Sequence, residues 1–318
     1  MASDPMASDN RSDNHSDNHS GNRNGQLIII GGAEDRSEEC QILREFIRCA
    51  GGLTAKIVVM TVATELPREV GDDYIQTFER LGVEDIRILD TVRRDDTHSN
   101  SALESIQKAT GVFFTGGDQA RIVDTLKGTE IDKLLHQRFE EGLVIAGTSA
   151  GAAMMPDMMI VEGDADTNPK VNVVEMGPGM GFLPNIAIDQ HFAQRGRIGR
   201  LLSAMAQQSI NLGFGIDENT AIIVSGNLVK VVGEGAVTVV DMANLAHTNL
   251  SEILRDEDLA LCGVNLHILP DGYGFNLDTR SPIVKGANAL NRSNNQSNNQ
   301  TEAKQIPQAG ETQFPNVS

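Results

Sequence analysis

Residues 143–153 read Leu-Val-Ile-Ala-Gly-Thr-Ser-Ala-Gly-Ala-Ala, an apolar run followed by a G-x-S-x-G turn and small residues. This order predicts a strand that turns sharply into a helix, the setting in which the short motif has chemical meaning. Such a bend lifts the hydroxyl of Ser149 out of the sheet, and flanking glycines let the backbone turn without clashes. Because G-x-S-x-G also occurs by chance, an ordinary turn rich in small residues is the alternative.

Apolar runs and helical patterns alternate through the first half of the chain. Strands are predicted at 26–30, 56–62, 85–89, 111–115 and 143–146, and helical segments at 38–50, 73–81, 99–109, 121–126 and 131–141. Several strands are continuously apolar, which favours an α/β fold with a mostly parallel central sheet and helices on both faces. Gly31-Gly32, Gly116-Gly117 and Ser149 each follow a strand, so we expect them to meet in one crevice.

The second half of the chain has a different pattern. Strands are predicted at 186–192, 220–224, 228–232 and 236–242, with a helix at about 196–208 and a turn at 225–227. This half is therefore expected to be hairpin-rich and more antiparallel. No change of composition divides residues 26–286, which we predict to be a single α/β domain. The low-complexity stretches 1–25 and 287–318 are predicted to be disordered tails.

The composition excludes several classes of protein. A formal net charge of −18 argues against nucleic-acid binding, because proteins that bind nucleic acids present basic surfaces. No apolar run approaches the ~20 residues of a membrane span, and the N-terminus is polar, so we expect a cytoplasmic protein. The 3 scattered cysteines do not suit a zinc site, and residues 31–35 lack the G-x-G-x-x-G spacing of a dinucleotide site. We therefore expect neither a metal nor a cofactor.

A serine hydroxyl is a weak nucleophile until a base takes its proton, so a histidine is expected near Ser149. His191 is the best candidate because it follows Asp189-Gln190 at the end of an apolar strand. A histidine satisfied within the core is the alternative.

A carboxylate is also expected, to orient the imidazole and stabilise its charged form. Asp217 and Glu218 lie directly before an apolar strand, although turns commonly place solvated acids there. Asp164 and Asp166, in the loop after the serine motif, are rival candidates. The sequence does not separate the two sites.

Two further segments could serve a reaction at Ser149. The amides of Gly116-Gly117-Asp118-Gln119 could complete an oxyanion hole with the amide of Ala150, or the glycines could serve only a tight turn. Three arginines follow His191 at positions 195, 197 and 200. Arginine suits carboxylate recognition, although an arginine-bearing helix is usually a solvated face.

Taken together, four motifs resemble those of the serine-type cyanophycinases, relatives of the aspartyl dipeptidases on a fold akin to class I glutamine amidotransferases. The motifs are GGDQ at 116–119, GTSAGAA at 147–153, DQHF at 189–192 followed by RGRIGR at 195–200, and GIDENTA at 215–221. The resemblance runs from about residue 26 to residue 279. It implies a cofactor-free, homodimeric serine exopeptidase that hydrolyses cyanophycin, a poly-aspartate whose β-carboxyls carry arginine, to β-aspartyl-arginine dipeptides.

The resemblance also implies a role for each matched residue. Ser149 would be the nucleophile, His191 the general base and later acid, and Glu218 the residue that orients His191. The amides of Gly117 and Ala150 would form the oxyanion hole. The substrate pocket would be lined by Gln119, Asp189, Gln190, Arg195, Arg197 and Arg200.

Two rival functions remain open at this point. The order Ser, His, Glu differs from the Ser, acid, His order of α/β-hydrolases, which disfavours an ordinary lipase. One rival is an α-aspartyl dipeptidase that cuts small Asp-X peptides. The other is a non-catalytic binding protein on the same fold.

Overall fold

The computed structural model describes residues 25–90, 93–164, 168–254 and 257–285. Apart from Gly25, the two predicted tails lie outside these residues, as does Asp166. Within the described residues the strands are β1 (Gln26–Ile30), β2 (Lys56–Met60), β3 (Asp85–Leu89), β4 (Gly111–Phe114), β5 (Val144–Thr148), β6 (Met158–Gly163), β7 (Val174–Pro178), β8 (Ala187–Gln190), β9 (Leu212–Ile216), β10 (Thr220–Ser225), β11 (Leu228–Gly233), β12 (Ala236–Asp241), β13 (His247–Thr248), β14 (Leu261–Cys262), β15 (Asn265–Pro270), β16 (Gly274–Asn276) and β17 (Ser281–Ile283). The helices are α1 (Gln41–Cys49), α2 (Pro67–Arg80), α3 (Asn100–Lys108), α4 (Gln119–Leu126), α5 (Glu130–Glu140), α6 (Ala150–Ala153) and α7 (Ile198–Gln208).

A nine-stranded sheet forms the centre of the fold, in the order β17-β16-β11-β10-β1-β5-β4-β2-β3. Five neighbouring strands of this sheet, β1, β5, β4, β2 and β3, pair in parallel. The four strands on the other side of β1 are added antiparallel. The predicted α/β class is therefore confirmed, with a parallel half from the first part of the chain and an antiparallel half from the second.

Strand β1 shows why the parallel strands read as continuous apolar runs. Leu27 and Ile29 are buried in one core cluster, while Ile28 and Ile30 are buried in another. Alternate side chains of a strand point to opposite faces, so the two clusters lie on the two faces of the sheet. Side chains of α1 and α2 pack in one cluster, and those of α3, α4 and α5 pack in the other. Each such buried aliphatic side chain contributes about 1.5–3 kcal/mol of transfer free energy.

A second, four-stranded sheet has the order β15-β12-β9-β8. Strands β8 and β9 are parallel, and the other neighbours are antiparallel. The chain leaves β9 in this sheet and enters β10 in the central sheet after only residues 217–219. These residues therefore form a short connection between two sheets.

Strand β9 is missing from the sequence prediction, because its Leu-Gly-Phe-Gly-Ile sequence is interrupted by glycines. The structure explains both glycines by packing. A Cβ at Gly213 would lie 2.6 Å from Met205 Sδ, and one at Gly215 would lie 2.4 Å from the ring of Phe192. The hairpin of β6 and β7 is also missing from the prediction, since its second strand carries Glu, Gly and Pro. Finally, α2 begins at Pro67 rather than at 73, with proline in the first turn, where its missing N–H is tolerated.

None of the helices in the described part of the chain combines the length and apolar character that crossing a bilayer requires.

Candidate active site

Ser149 lies at a sharp turn between β5 and the four-residue helix α6, with φ +52° and ψ −107°. Its N–H donates to the carbonyl of Ile30 at 3.1 Å, and its carbonyl accepts from Ala153 at 2.9 Å. A positive φ at a residue with a side chain costs about 1–3 kcal/mol and persists only where the surroundings fix it. The flanking glycines are required sterically, because a Cβ at Gly147 would lie 2.1 Å from the carbonyl oxygen of Gly151.

His191 follows β8 and brings its ring to this turn. Its Nε2 lies 2.9 Å from Ser149 Oγ. The residue has φ +50°, is 9% exposed, and donates its backbone N–H to the carbonyl of Gly31 at 2.8 Å. Gly32 lies against the imidazole so closely that a Cβ there would be 2.2 Å from Cε1. The structure thus places the glycines after β1 beside the histidine and the serine, as expected.

Glu218 lies in the connection from β9 to β10, and its Oε1 is 2.6 Å from His191 Nδ1. With Nδ1–H donating to a carboxylate, Nε2 is left as the acceptor that faces Ser149. The connection is held in place because the N–H of Asn219 donates to the carbonyl of Gly32 at 2.9 Å. Among the acidic residues that the sequence offers as partners of His191, Glu218 is the one beside Nδ1. Asp164 lies after β6 and is exposed. Asp166 lies outside the described residues.

The environment of His191 keeps its ring neutral. Burial lowers the pKa of His191, and the positive charges of Arg195 and Arg197 lower it further, while Glu218 acts in the opposite direction. The net result is a pKa below the ordinary value of 6.5. The imidazole is therefore uncharged at neutral pH and able to accept a proton from Ser149.

The loop after β4 packs beside Ser149. A Cβ at Gly116 would lie 3.5 Å from Ser149 Cβ. Gly117 has φ +144° and leaves no room for a side chain, since a Cβ would lie 2.2 Å from the carbonyl oxygen of Ala63. The same carbonyl accepts from the N–H of Asp118 at 2.9 Å, which fixes the loop. The backbone of Gly117 is thus held next to Gly116, which lies beside Ser149, and the joint role of the Gly117 and Ala150 amides as an oxyanion hole stays a prediction.

Gln119 and Gln190 are placed differently. The Nε2 of Gln119 donates to the carbonyls of Val161 at 2.6 Å and Ile160 at 3.2 Å, so this side chain is joined to β6. Gln190 is 7% exposed, and its Oε1 has no hydrogen-bond partner among the described residues. This oxygen is therefore an exception to the usual pairing of buried polar atoms.

The three arginines do not share one environment. Asp189 is fully buried, and Arg200 donates to it from Nε at 2.9 Å and also from Nη2. The Nη1 of Arg197 lies 3.4 Å from the same carboxylate and donates to the carbonyl of Gln190. Arg195 is exposed. The guanidinium groups of Arg197 and Arg200 are therefore held by Asp189, and Arg195 presents its charge to solvent near His191.

The segment Gly31–Asp35 contributes more to the site than its sequence indicated. In the sequence, residues 31–35 lack the G-x-G-x-x-G spacing of a dinucleotide site. The carbonyls of Gly31 and Gly32 accept from His191 and Asn219, so this segment supports both the histidine and the acid. The strand followed by paired glycines is the sequence feature that indicates a role for this segment.

Across the described residues, no group of three or more His, Cys, Asp and Glu side chains is arranged to hold a metal ion.

The chain is similar to known peptidases in sequence and in fold. The profile of peptidase family S51 matches residues 27–232. A cyanophycinase of Geminocystis herdmanii is 38% identical over 260 residues, which is 81% of this chain and 96% of the relative. A cyanophycinase of Trichormus variabilis is 40% identical over 259 residues, which is 81% of this chain and 87% of the relative. A crystal structure of a peptidase from an acI-B1 actinobacterium has the same fold, with a TM-score of 0.59, 20% identity, and coverage of 80% of this chain and 98% of that one.

Proposed function

The chain belongs to peptidase family S51, a serine peptidase family, and we propose that it degrades cyanophycin through Ser149, His191 and Glu218. The observation that carries the proposal is the continuous chain of contacts from Ser149 Oγ to His191 Nε2 at 2.9 Å and from His191 Nδ1 to Glu218 at 2.6 Å. Two relatives of 38% and 40% identity named cyanophycinase support the substrate.

In the proposed mechanism, Ser149 Oγ attacks the scissile carbonyl carbon while His191 Nε2 accepts the hydroxyl proton. The oxygen of the tetrahedral intermediate takes the negative charge and is stabilised by the amides of Gly117 and Ala150. The imidazolium, stabilised by Glu218, then gives its proton to the leaving amine, and an acyl-enzyme remains. Water enters with His191 again as base, and the returning proton regenerates Ser149 as the product acid leaves.

The charges around the site suit this substrate. Each unit of cyanophycin presents one guanidinium group and one free carboxylate. Arg195 is the exposed cation near His191 and is positioned to attract the carboxylate.

We also expect a cytoplasmic homodimer. One observation supports association of two copies: β15 pairs on one side with β12 and is the edge strand of its sheet. It exposes Leu266 at 52% and Ile268 at 57%. Exposed apolar residues on an edge strand favour pairing with another chain. Light scattering after size exclusion distinguishes monomer from dimer.

The function is tested by incubating the purified full chain with insoluble cyanophycin and identifying the products by mass spectrometry. The wild type should clear the suspension and release β-aspartyl-arginine. Ser149→Ala should be slower by about 10⁶-fold, as for loss of a serine nucleophile elsewhere. Ser225→Ala, at an exposed serine at the far end of β10, is the matched control and should behave as the wild type.

Other results of this assay would contradict the proposed function. Cleavage of short Asp-X peptides without clearing of the polymer would place the chain with the α-aspartyl dipeptidases. Full activity of Ser149→Ala would refute the serine mechanism. Inactivity of the wild type on both substrates would favour a binding protein.

A further inference from the structure

A buried carboxylate lies behind Ser149 and takes no part in the proposed mechanism. Glu34 is 7% exposed, and each of its carboxylate oxygens accepts a hydrogen bond from a hydroxyl group. One donor is Tyr74 on α2, which is 3% exposed. The other is Thr148, which is 4% exposed and is the last residue of β5, directly before Ser149.

The segment that carries Glu34 accepts backbone hydrogen bonds from Ser149, from His191 and from Asn219, the residue after Glu218. The N–H of Ser149 donates to Ile30, and that of His191 donates to Gly31 at 2.8 Å. The N–H of Asn219, next to Glu218, donates to Gly32 at 2.9 Å. Glu34 follows two residues later and adds a side-chain bond from this segment to the strand that ends at Ser149.

Core packing alone does not account for a glutamate at this position. Glutamate is almost never fully buried unless it is paired, and a well-packed apolar side chain is usually at least as stabilising as a buried charge. A carboxylate offers acceptor sites on both oxygens, so it can join two hydroxyl donors at once. Here it joins α2 to the end of β5 through the segment that holds His191.

We propose that Glu34 is a positioning residue that, through the hydroxyl of Thr148, holds the Ser149 turn in register with His191. The proposal rests on the proposed function, since it assigns Glu34 a part in the reaction of Ser149. Fixing the end of β5 keeps Ser149 Oγ within 2.9 Å of His191 Nε2, although Ser149 has a positive φ that its own sequence does not favour. Loss of this bond should slow the chemical step and leave substrate binding unchanged.

Tyr74, the other residue that donates to Glu34, provides a control for Thr148. Burial and the Glu34 carboxylate both raise the pKa of Tyr74 well above its ordinary value, so the phenol stays protonated and donates. The guanidinium of Arg36 lies 5.2 Å from the centre of the Tyr74 ring. Tyr74 is bonded to the same carboxylate as Thr148 but lies on a helix away from Ser149.

The test compares Thr148→Val, Thr148→Ser and Tyr74→Phe in the full chain. Thr148→Val keeps the shape and removes the hydroxyl, and should lower kcat by about 10- to 100-fold, the scale of a misplacement of about 1 Å. KM should stay within about twofold, and the acid limb of the pH profile should not move because no charge changes. Thr148→Ser should restore kcat to within about threefold of the wild type. Tyr74→Phe should lower the melting temperature and leave kcat within about threefold.

A second readout separates this proposal from the choice of substrate. The rate at which phenylmethanesulfonyl fluoride modifies Ser149, followed by mass spectrometry, should fall with kcat in Thr148→Val. If the wild type is modified at Ser149 but does not cleave cyanophycin, the proposed substrate fails while Glu34 is still tested by this rate. Glu34→Met, which keeps the length of the side chain and removes both acceptor oxygens, should match Thr148→Val in kcat, and the double variant should be no slower than either, because both changes break the bond between Glu34 and Thr148.

Three results would overturn the proposal. Equal losses in Thr148→Ser and Thr148→Val would assign the effect to packing. A rise in KM with unchanged kcat would assign it to binding. A loss in Tyr74→Phe as large as that in Thr148→Val would show that Glu34 supports the fold in general rather than the Ser149 turn.

Discussion

Replacing Gly32 with alanine should displace His191 from Ser149 without altering either side chain. The added Cβ would lie 2.2 Å from Cε1 and 2.5 Å from Nε2 of His191, whereas ordinary contact begins at 3.4 Å. The backbone on both sides is fixed, because Gly31 accepts from His191 and Gly32 accepts from Asn219. The imidazole must therefore move by about 1 Å, and a shift of this size lowers the rate about 10²-fold.

The same substitution also strains the backbone, and Gly142→Ala controls for that strain. Gly32 has φ +102° and Gly142 has φ +109°, but a Cβ at Gly142 would have no atom within 4 Å. Both variants should lose about 1–3 kcal/mol of unfolding free energy through the unfavourable φ, and Gly32→Ala should lose about 1–3 kcal/mol more because its Cβ clashes with His191. Only Gly32→Ala should lose activity.

The assay is the initial rate of β-aspartyl-arginine release, measured beside urea unfolding for both variants. We expect Gly32→Ala to be about 10²-fold slower than Gly142→Ala under conditions in which urea unfolding shows both variants to be folded. If the two variants have rates within twofold of each other, the ring of His191 does not need its present position. The role proposed for it as the base would then be refuted.

Further predictions concern the charged groups. Arg195→Gln removes a positive charge that lowers the pKa of His191. The pKa should rise, and the acid limb of kcat/KM against pH should move to higher pH; a shift to lower pH would contradict this. Glu218→Gln should reduce kcat by about 10⁴-fold, as the same kind of change does in a serine protease triad, and a loss below tenfold would exclude Glu218 as the orienting acid. Asp189→Asn leaves the buried Arg200 without its carboxylate, so urea unfolding should show a loss of about 3–5 kcal/mol, and a loss below 1 kcal/mol would mean that the pair is not stabilising.

The sequence predicts the parallel half of the fold well, for a physical reason. The strands at 26–30 and 85–89 have the predicted bounds, since each is a short run that local patterning defines. The missing strand β9 shows the limit of such patterns. Its glycines are there because Phe192 and Met205 pack against them, and those side chains come from other parts of the chain.

The residues of the candidate site are predictable from sequence where a local sequence pattern surrounds them. The turn at Ser149 and the strand end at His191 both had such a pattern. The choice between Glu218 and Asp164 had none, because it depends on how a second sheet brings the β9–β10 connection to the histidine. The arginines show the same limit: Arg197 and Arg200 have the spacing of a carboxylate-binding cluster. Such a guanidinium is free to bind substrate only if no buried carboxylate pairs with it. Here Asp189 forms ion pairs with both Arg197 and Arg200.

Backbone conformation links these observations. Ser149, His191 and Asn219 have φ of +52°, +50° and +48°, although none is glycine. Each donates its N–H to a successive carbonyl of Ile30, Gly31 and Gly32. These bonds give the strain a structural cause, because one short stretch at the end of β1 fixes three segments that converge from different strands. Since the contacts come from the backbone, substitutions act on the site only through bulk, as at Gly32, or through an added side-chain bond, as at Glu34. Both tests therefore examine the same hypothesis, that the end of β1 determines the alignment of Ser149 with His191.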